Sequence, residues 1–361
     1  MISSRCQLEI SLSIISENYK ALRAIYSGKS VGAAVKANAY GLGVKEVSLQ
    51  LQQDGCSDFF VANIEEGIQL RQVLGQHGNI HVLHGVFSNE EEVFHQHNLT
   101  PVLNHLGQIE IWSKYAKKLS KKLPAVFHLN IGMNRLGITE QELIQIDQET
   151  VSSIDLKFVM GHLSSSEDKT NPINRQQLKE FNRLTSRFNN IPKSLCNSGG
   201  IFLGKEYHFD IARPGAAIYG INPTNEIQIK NPVRIYAPII QLSVIEEGQS
   251  VGYGASYTNK EQKKIRTAII PIGYADGIFR NLSNNMSFYI NSTPVPILGR
   301  VSMDLTIIDV SVLPENSLFI GQKVEIAGDN CTPDAIAQTS ATITNEFLTG
   351  LGGRFDRIYS K

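Results

Sequence analysis

Over its first two-thirds the chain alternates short apolar runs with amphipathic stretches. Eight runs read as strands: "VGAAVK" (31–36), "FFVAN" (59–63), "IHVLHG" (80–85), "TPVLN" (100–104), "AVFHLN" (125–130), "LKFVMGH" (156–162), "SLCNS" (194–198) and "FDIARPG" (209–215). The stretches between them carry helix signals. Asn63 with Glu66, Ser88 with Glu91, and Thr139 with Glu142 have capping spacing, and Asn171-Pro172 has the form of a cap followed by a first-turn proline. Eight strand–helix units in succession predict a TIM-type (β/α)8 barrel, because parallel strands need crossover helices to bring the chain back. An open doubly wound sheet is the alternative, and it lacks the Gly-rich fingerprint after its first strand. From residue 228 the pattern turns to Ile-, Val- and Tyr-rich segments with short connections, among them "VRIYAPIIQLSVIE", "IRTAIIPIG" and "VPILGRVSMDLTIIDV". The prediction is a barrel domain over 1–227 and a mainly β domain over 228–361. One or two helices are expected in "TPDAIAQTSATITNEFL", with Gly352-Gly353 loosening the tail.

Composition narrows the function more than the fold. The 361 residues are 42% hydrophobic, and 34 basic residues balance 34 acidic ones. A neutral chain is poorly suited to nucleic acid or an anionic membrane, both of which reward basic surface. No uncharged run reaches the roughly 20 apolar residues of a membrane span. Glu9 interrupts the apolar N-terminal patch and no cleavage site follows it. Cys6, Cys56, Cys196 and Cys331 are too far apart for a metal-binding motif and read as reduced thiols. The expectation is a cytoplasmic protein without a metal.

A barrel places its chemistry at the C-terminal ends of its strands and in the loops beyond. Lys36, Tyr40, Arg135, His162, Ser198, Arg213 and Gly215 all fall there. Taken singly, each has a plain structural reading, such as a snorkelling lysine, ion-paired arginines, a satisfied histidine or a capping serine. Taken together they describe a pyridoxal-phosphate site. A desolvated lysine can form an imine with a carbonyl. Tyr40, Ser198 and the Gly215 backbone can donate to a phosphate, and the arginines suit a carboxylate or phenolate.

The ordered set "AAVKANAYGLG", "GMNRLG", "NSGG", "ARPGAAIYG", "VGYGASY", "PIGYADG" and "GRVSMDLTIIDV" resembles the successive signatures of bacterial alanine racemase along essentially the whole chain. The resemblance implies a homodimer that interconverts L- and D-alanine with pyridoxal 5'-phosphate and supplies D-alanine for peptidoglycan. Lys36 and Tyr253 would be the two bases, with Tyr253 arriving from the other subunit. Arg213 would face the pyridine nitrogen, and His162 would hydrogen-bond to Arg213. Tyr40, Ser198, Gly215 and Ala216 would hold the phosphate. Arg135 would approach the cofactor's phenolic oxygen and the substrate carboxylate, the Met303 N–H would meet the same carboxylate, and Tyr274 and Asp304 would narrow the entrance.

The sequence departs from that pattern at two places. His128 stands where the family commonly has a lysine, often carbamylated, with Asn130 and Ile131 nearby in place of Asp and Thr. Asn345 stands where a tyrosine usually reaches the phosphate, which implies a roomier, more polar pocket. A serine or broad-spectrum racemase is therefore the alternative within the class. A non-catalytic pyridoxal-phosphate carrier is the alternative outside it, and such carriers generally lack the β domain. A barrel-plus-β decarboxylase typically faces the ring nitrogen with a carboxylate, and Arg213 occupies that place here.

Overall fold

The computed structural model describes residues 5–224 and 226–361. The chain forms two compact units: Ile15–Lys230, and the N-terminal residues through Ile14 together with Asn231–Lys361.

The first unit is a barrel. Its seven-stranded parallel sheet runs in chain order through Ala33–Ala34, Asp58–Val61, Asn79–Val82, Leu99–Leu103, Leu123–His128, Ile154–Met160 and Lys193–Ser194. The first strand is split at Gly32. Ala33–Ala34 pairs with the second strand, whereas Ser30–Val31 pairs in parallel with an eighth strand, Ile211–Ala212. Gly32 donates to Ala212 O at 2.9 Å, and a Cβ on it would lie 2.6 Å from Asp58 O, so the split requires glycine. Single bonds from Asp210 N to Lys193 O (2.9 Å) and from Arg213 N to Cys196 O (2.8 Å) tie the seventh strand to the eighth. All eight predicted strands are present, but the ladders stop short of the apolar runs. Lys36, His162 and Ser198 lie beyond the strand ends at Ala34, Met160 and Ser194.

Three of the four predicted helix starts follow the cap chemistry. Asn63 Oδ1 accepts the Glu66 N–H at 2.9 Å, Thr139 and Glu142 form a complete capping box, and Asn171 caps the helix that opens with Pro172. Ser88 caps nothing: the helix Glu91–Gln96 begins after Glu90, whose carboxylate accepts the Phe87 N–H at 3.0 Å. The barrel interior is filled by Ala34, Phe60, Val102, Val126, Phe158 and Met160. His81 is sandwiched between Phe60 and Phe158, with ring centroids 4.8 and 5.1 Å away, and lies 3.0 Å from Asp58.

The second unit is mainly β. Its six-stranded sheet has the order Thr293–Pro296, Ser287–Ile290, Lys323–Ala327, Val233–Pro238, Gln7–Ser11, Asp356–Ser360. A three-stranded sheet of Gln241–Ile245, Ile265–Ile270 and Thr306–Asp309 and two short helices, Pro333–Thr339 and Thr344–Thr349, accompany it. Two expectations need correcting. The boundary is not a single cut near residue 228, since Gln7–Ser11 finds its ladders in Val233–Pro238 and Asp356–Ser360. The tail after Gly353 is likewise not loose, since Asp356–Ser360 pairs in parallel with Gln7–Ser11.

Burial pushes the Asp58 carboxyl up, but hydrogen bonds from His81, Ser57 and Asn79 and the charge of His81 outweigh it, and the net shift is downward. A depressed carboxyl stabilises the fold above its unfolded value, about 3.9, and that contribution fades as pH falls through the folded value. Thermal melts from pH 6 downward should therefore show a loss of stability below about pH 4 that is smaller in Asp58→Asn than in the wild type.

Candidate active site

The backbone leaves the first barrel strand in an uncommon conformation. Ala37, Asn38, Ala39 and Tyr40 all have positive φ, at 52°, 54°, 52° and 56°. The result is one left-handed turn of non-glycine residues, each costing about 1–2 kcal/mol. Gly41, at φ 85°, ends it and donates to Ala37 O at 2.8 Å. The turn follows Lys36 directly. Burial lowers the pKa of the Lys36 amine and the Arg135 charge lowers it further, against the opposing pull of Glu66. Together these favour the free amine.

Tyr40, at the end of the turn, stacks on Tyr219 with centroids 4.6 Å apart, and the Tyr219 hydroxyl donates to Ala34 O at 2.8 Å. Burial pushes the Tyr40 phenol up to about 12, so it keeps its proton and can donate it. A Cβ on Gly215 would lie 2.3 Å from Tyr40 Oη, which makes Gly215 the open side of this seat. Ser198 Oγ accepts the N–H groups of Gly215 (3.0 Å) and Ala217 (3.1 Å). With both lone pairs used, its own proton is free for another oxygen. Ala216 opens the short turn that follows Gly215. Tyr40, Ser198 and this backbone form a neutral donor cluster of the kind a phosphate needs, and the residues present fit a phosphorylated cofactor.

The same end of the barrel is strongly cationic. Arg213 is 6% exposed and lies 6.0 Å over the Phe60 ring. It donates to Gly161 O at 2.7 Å and to Ser194 Oγ. Burial lowers its pKa to about 10, so it is still charged at neutral pH. The hydrogen bond expected between His162 and Arg213 is not found among the described residues, where the guanidinium bonds go to these two oxygens instead. His162 lies close enough to feel the charge: burial, then Arg213 and Arg135, hold it well below the usual histidine value.

His128 occupies the position of the expected lysine, and its state follows from a chain of hydrogen bonds. The Asn104 amide donates to Leu83 O (2.9 Å) and Val102 O (2.8 Å), so its oxygen must accept from His128 Nδ1 at 2.8 Å. Nε2 then carries the lone pair, and burial followed by Arg213 and Arg135 lowers the ring to about 3. His128 is thus a neutral buried histidine. The exposed Arg135 is carried by a loop that Asn130 organises: Asn130 Oδ1 accepts the N–H groups of Gly132 (3.1 Å) and Asn134 (3.2 Å).

Within the β unit, Tyr253 is 72% exposed on a turn bounded by Gly252 and Gly254, both at positive φ. Tyr274, Met303 and Asp304 are brought together by backbone bonds from Tyr274 N to Ser302 O (3.1 Å) and Ala275 N to Met303 O (3.0 Å). Arg354 locks this pairing with bonds to Asp276 (2.7 and 2.9 Å) and Asp304 (2.7 Å). Asn345 Oδ1 is buried with no hydrogen-bond partner among the described residues. Sequence reasoning missed Tyr219, Asn104 and Arg354. Only Asn104, a polar residue closing an apolar strand, carried a readable signal.

The family model described as "Alanine racemase, N-terminal domain" matches residues 10–223, and "Alanine racemase, C-terminal domain" matches 233–359. The chain is 48% identical over 358 residues to an alanine racemase of Rickettsia conorii, covering 99% of both chains. Among solved structures it is similar to the alanine racemase of Bartonella henselae with covalently bound pyridoxal phosphate, at 36% identity and TM-score 0.94, covering 99% of this chain and 100% of that one. The biosynthetic alanine racemase of Pseudomonas aeruginosa is similar at 28% identity and TM-score 0.88, with the same coverage.

A methyl group added at Gly215 collides with Tyr40 Oη and fills the donor seat. Gly215→Ala is expected to weaken retention of pyridoxal phosphate by about tenfold or more, as overpacking costs about 1–3 kcal/mol. Equilibrium dialysis of the folded variant measures this.

Proposed function

Because the chain belongs to the alanine racemase family, we propose that Lys36 and Tyr253 are its two catalytic bases. The protein is a pyridoxal-phosphate-dependent isomerase that interconverts L-alanine and D-alanine, an activity that supplies D-alanine for peptidoglycan. The observation that carries the residue assignment is the gathering of a deprotonation-prone lysine, a neutral phosphate seat and a buried arginine at one end of the barrel.

When bound, the cofactor withdraws electrons from the substrate Cα and acidifies its proton. Lys36 anchors it and, as a free amine, takes or returns that proton on one face; Tyr253 Oη serves the other face. Tyr40, Ser198, Gly215 and Ala216 hold the phosphate. Arg213 would face the ring nitrogen and, still charged at neutral pH, would not readily give up a proton there. His162 is a neutral neighbour of that arginine. Arg135 and the Met303 N–H bind the substrate carboxylate, while Tyr274 and Asp304, set by Arg354, narrow the entrance.

Tyr253 is supplied by a second copy of the chain, so the active form is a homodimer. Apolar exposure on the β unit supports an interface: Ile240, Leu242 and Val244 lie on or beside an edge strand, and Phe319 and Ile320 are also exposed. The cytoplasm is the proposed compartment, consistent with four buried, unpaired cysteines. Among the described residues no helix is long and apolar enough to cross a membrane.

Lys36→Ala should abolish both racemisation and the visible absorbance of the lysine-bound cofactor. Tyr253→Phe should lower racemisation by about 10²–10⁴-fold, the usual worth of a positioned acid or base, yet leave α-proton exchange with D2O for one enantiomer, measured by NMR. Mixing the two inactive variants under exchange conditions should restore partial activity, because a mixed dimer contains one intact pair. Full activity in Tyr253→Phe contradicts the two-base reading, and a failure to complement contradicts the shared site.

A second reading concerns the substrate range. The unpartnered Asn345 Oδ1 is a buried acceptor that a substrate hydroxyl can satisfy. L-Serine turnover relative to L-alanine should fall in Asn345→Tyr; an unchanged ratio removes the idea.

A further inference from the structure

Glu66 has the spacing of a capping-box glutamate, whose carboxylate ordinarily turns back to the N–H of the cap residue. Glu142 does this at Thr139. Glu66 reaches elsewhere. Its Oε2 accepts the Ala62 N–H at 2.7 Å and its Oε1 accepts the Ala37 N–H at 2.8 Å. Ala62 follows the second barrel strand, and Ala37 follows Lys36. One carboxylate therefore joins the ends of two neighbouring parallel strands.

The Ala37 amide is also where the left-handed turn begins. Four strained residues persist only where the surroundings over-determine them. The far end of the turn is held by Gly43 N to Asn38 O (2.9 Å) and Val44 N to Asn38 Oδ1 (2.8 Å). Glu66 holds the near end, with charge-assisted bonds that are about twice as strong as neutral ones. Its charge also partly offsets the Arg135 field at Lys36.

We propose that Glu66 is a positioning residue for the cofactor lysine: its two oxygens fix the peptide that leaves Lys36 and so set the direction of that side chain and the place of Tyr40. The proposal rests on the reading of Lys36 as the cofactor lysine, and the experiment separates the two. Borohydride reduction of the holoprotein followed by peptide mass mapping locates the cofactor; attachment elsewhere than Lys36 overturns the underlying reading whatever Glu66 does.

With attachment at Lys36, wild type, Glu66→Gln, Glu66→Asp and Asn38→Ala holoproteins are challenged with hydroxylamine, and cofactor release is followed by absorbance. Glu66→Gln loses a charge-assisted bond and turns an amide NH2 toward a backbone N–H, so release should accelerate about tenfold or more. The pH dependence of release should also move to lower pH, because the Lys36 nitrogen loses the nearby carboxylate that favours its charged form. Asn38→Ala weakens the far end of the same turn and should release close to the wild-type rate. Wild-type behaviour of Glu66→Gln, or an equal acceleration in Asn38→Ala, overturns the proposal. If Glu66→Gln does not fold, Glu66→Asp decides. It keeps the charge but is too short to span both amides, so release should be intermediate, and a wild-type rate overturns the proposal.

Discussion

The buried Arg213 guanidinium sets the electrostatics of the barrel mouth. Its hydrogen bonds go to a carbonyl and a hydroxyl, neither of which carries a negative charge. A buried cation without a bonded carboxylate imposes its sign on its surroundings. Burial first, and then the charges of Arg213 and Arg135, hold His128 and His162 neutral, and the nearby Lys36 amine is pushed toward its free-base form by burial and by Arg135. A region so arranged accepts anions and resists further cations. A phosphate and an amino-acid carboxylate are the ligands that such a field favours, which is why neutral donors such as Tyr40 and Ser198 suffice for the phosphate.

The second constraint is mechanical. A barrel strand delivers a side chain to the mouth but does not by itself hold the chain beyond the ladder. Here the exit from the first strand is a left-handed turn built without glycine until Gly41. The strain there is balanced by bonds from outside the turn, with Glu66 at one end and Asn38 closing the other. The division of labour is geometric: Gly41 ends the turn, and the residues between it and Lys36 bear the strain.

Much of this was legible in the chain. The strand–helix alternation gave the barrel, and the cap pairs gave three helix starts. What the sequence hid was mostly long-range. No local pattern announces that Gln7–Ser11 joins a sheet with Val233–Pro238, or that Asp356–Ser360 pairs beside it, since both are ordinary alternating strands. Glu66 was visible only as the partner of a cap, because a cap spacing does not say which amide the carboxylate will find. His128 was visible only as a missing lysine. Its tautomer depends on Asn104, which lies 24 residues away and is fixed by one carbonyl of the strand just before it, Val102 O, and one beyond the neighbouring strand, Leu83 O.

The two units also differ in how they present their chemistry. The barrel buries its groups: Arg213, His128 and Ser198 all lie below a tenth exposed. The β unit displays Tyr253 at 72% exposure and Met303 at 53%. A proton shuttle at a substrate carbon needs a dry site, since water would screen the charges and exchange the proton. An outward tyrosine can act as a base only once another surface covers it. On the proposed two-base reading, then, a second copy of the chain would complete the reaction chemistry itself: it would desolvate Tyr253 and supply the face that the barrel's own lysine cannot reach.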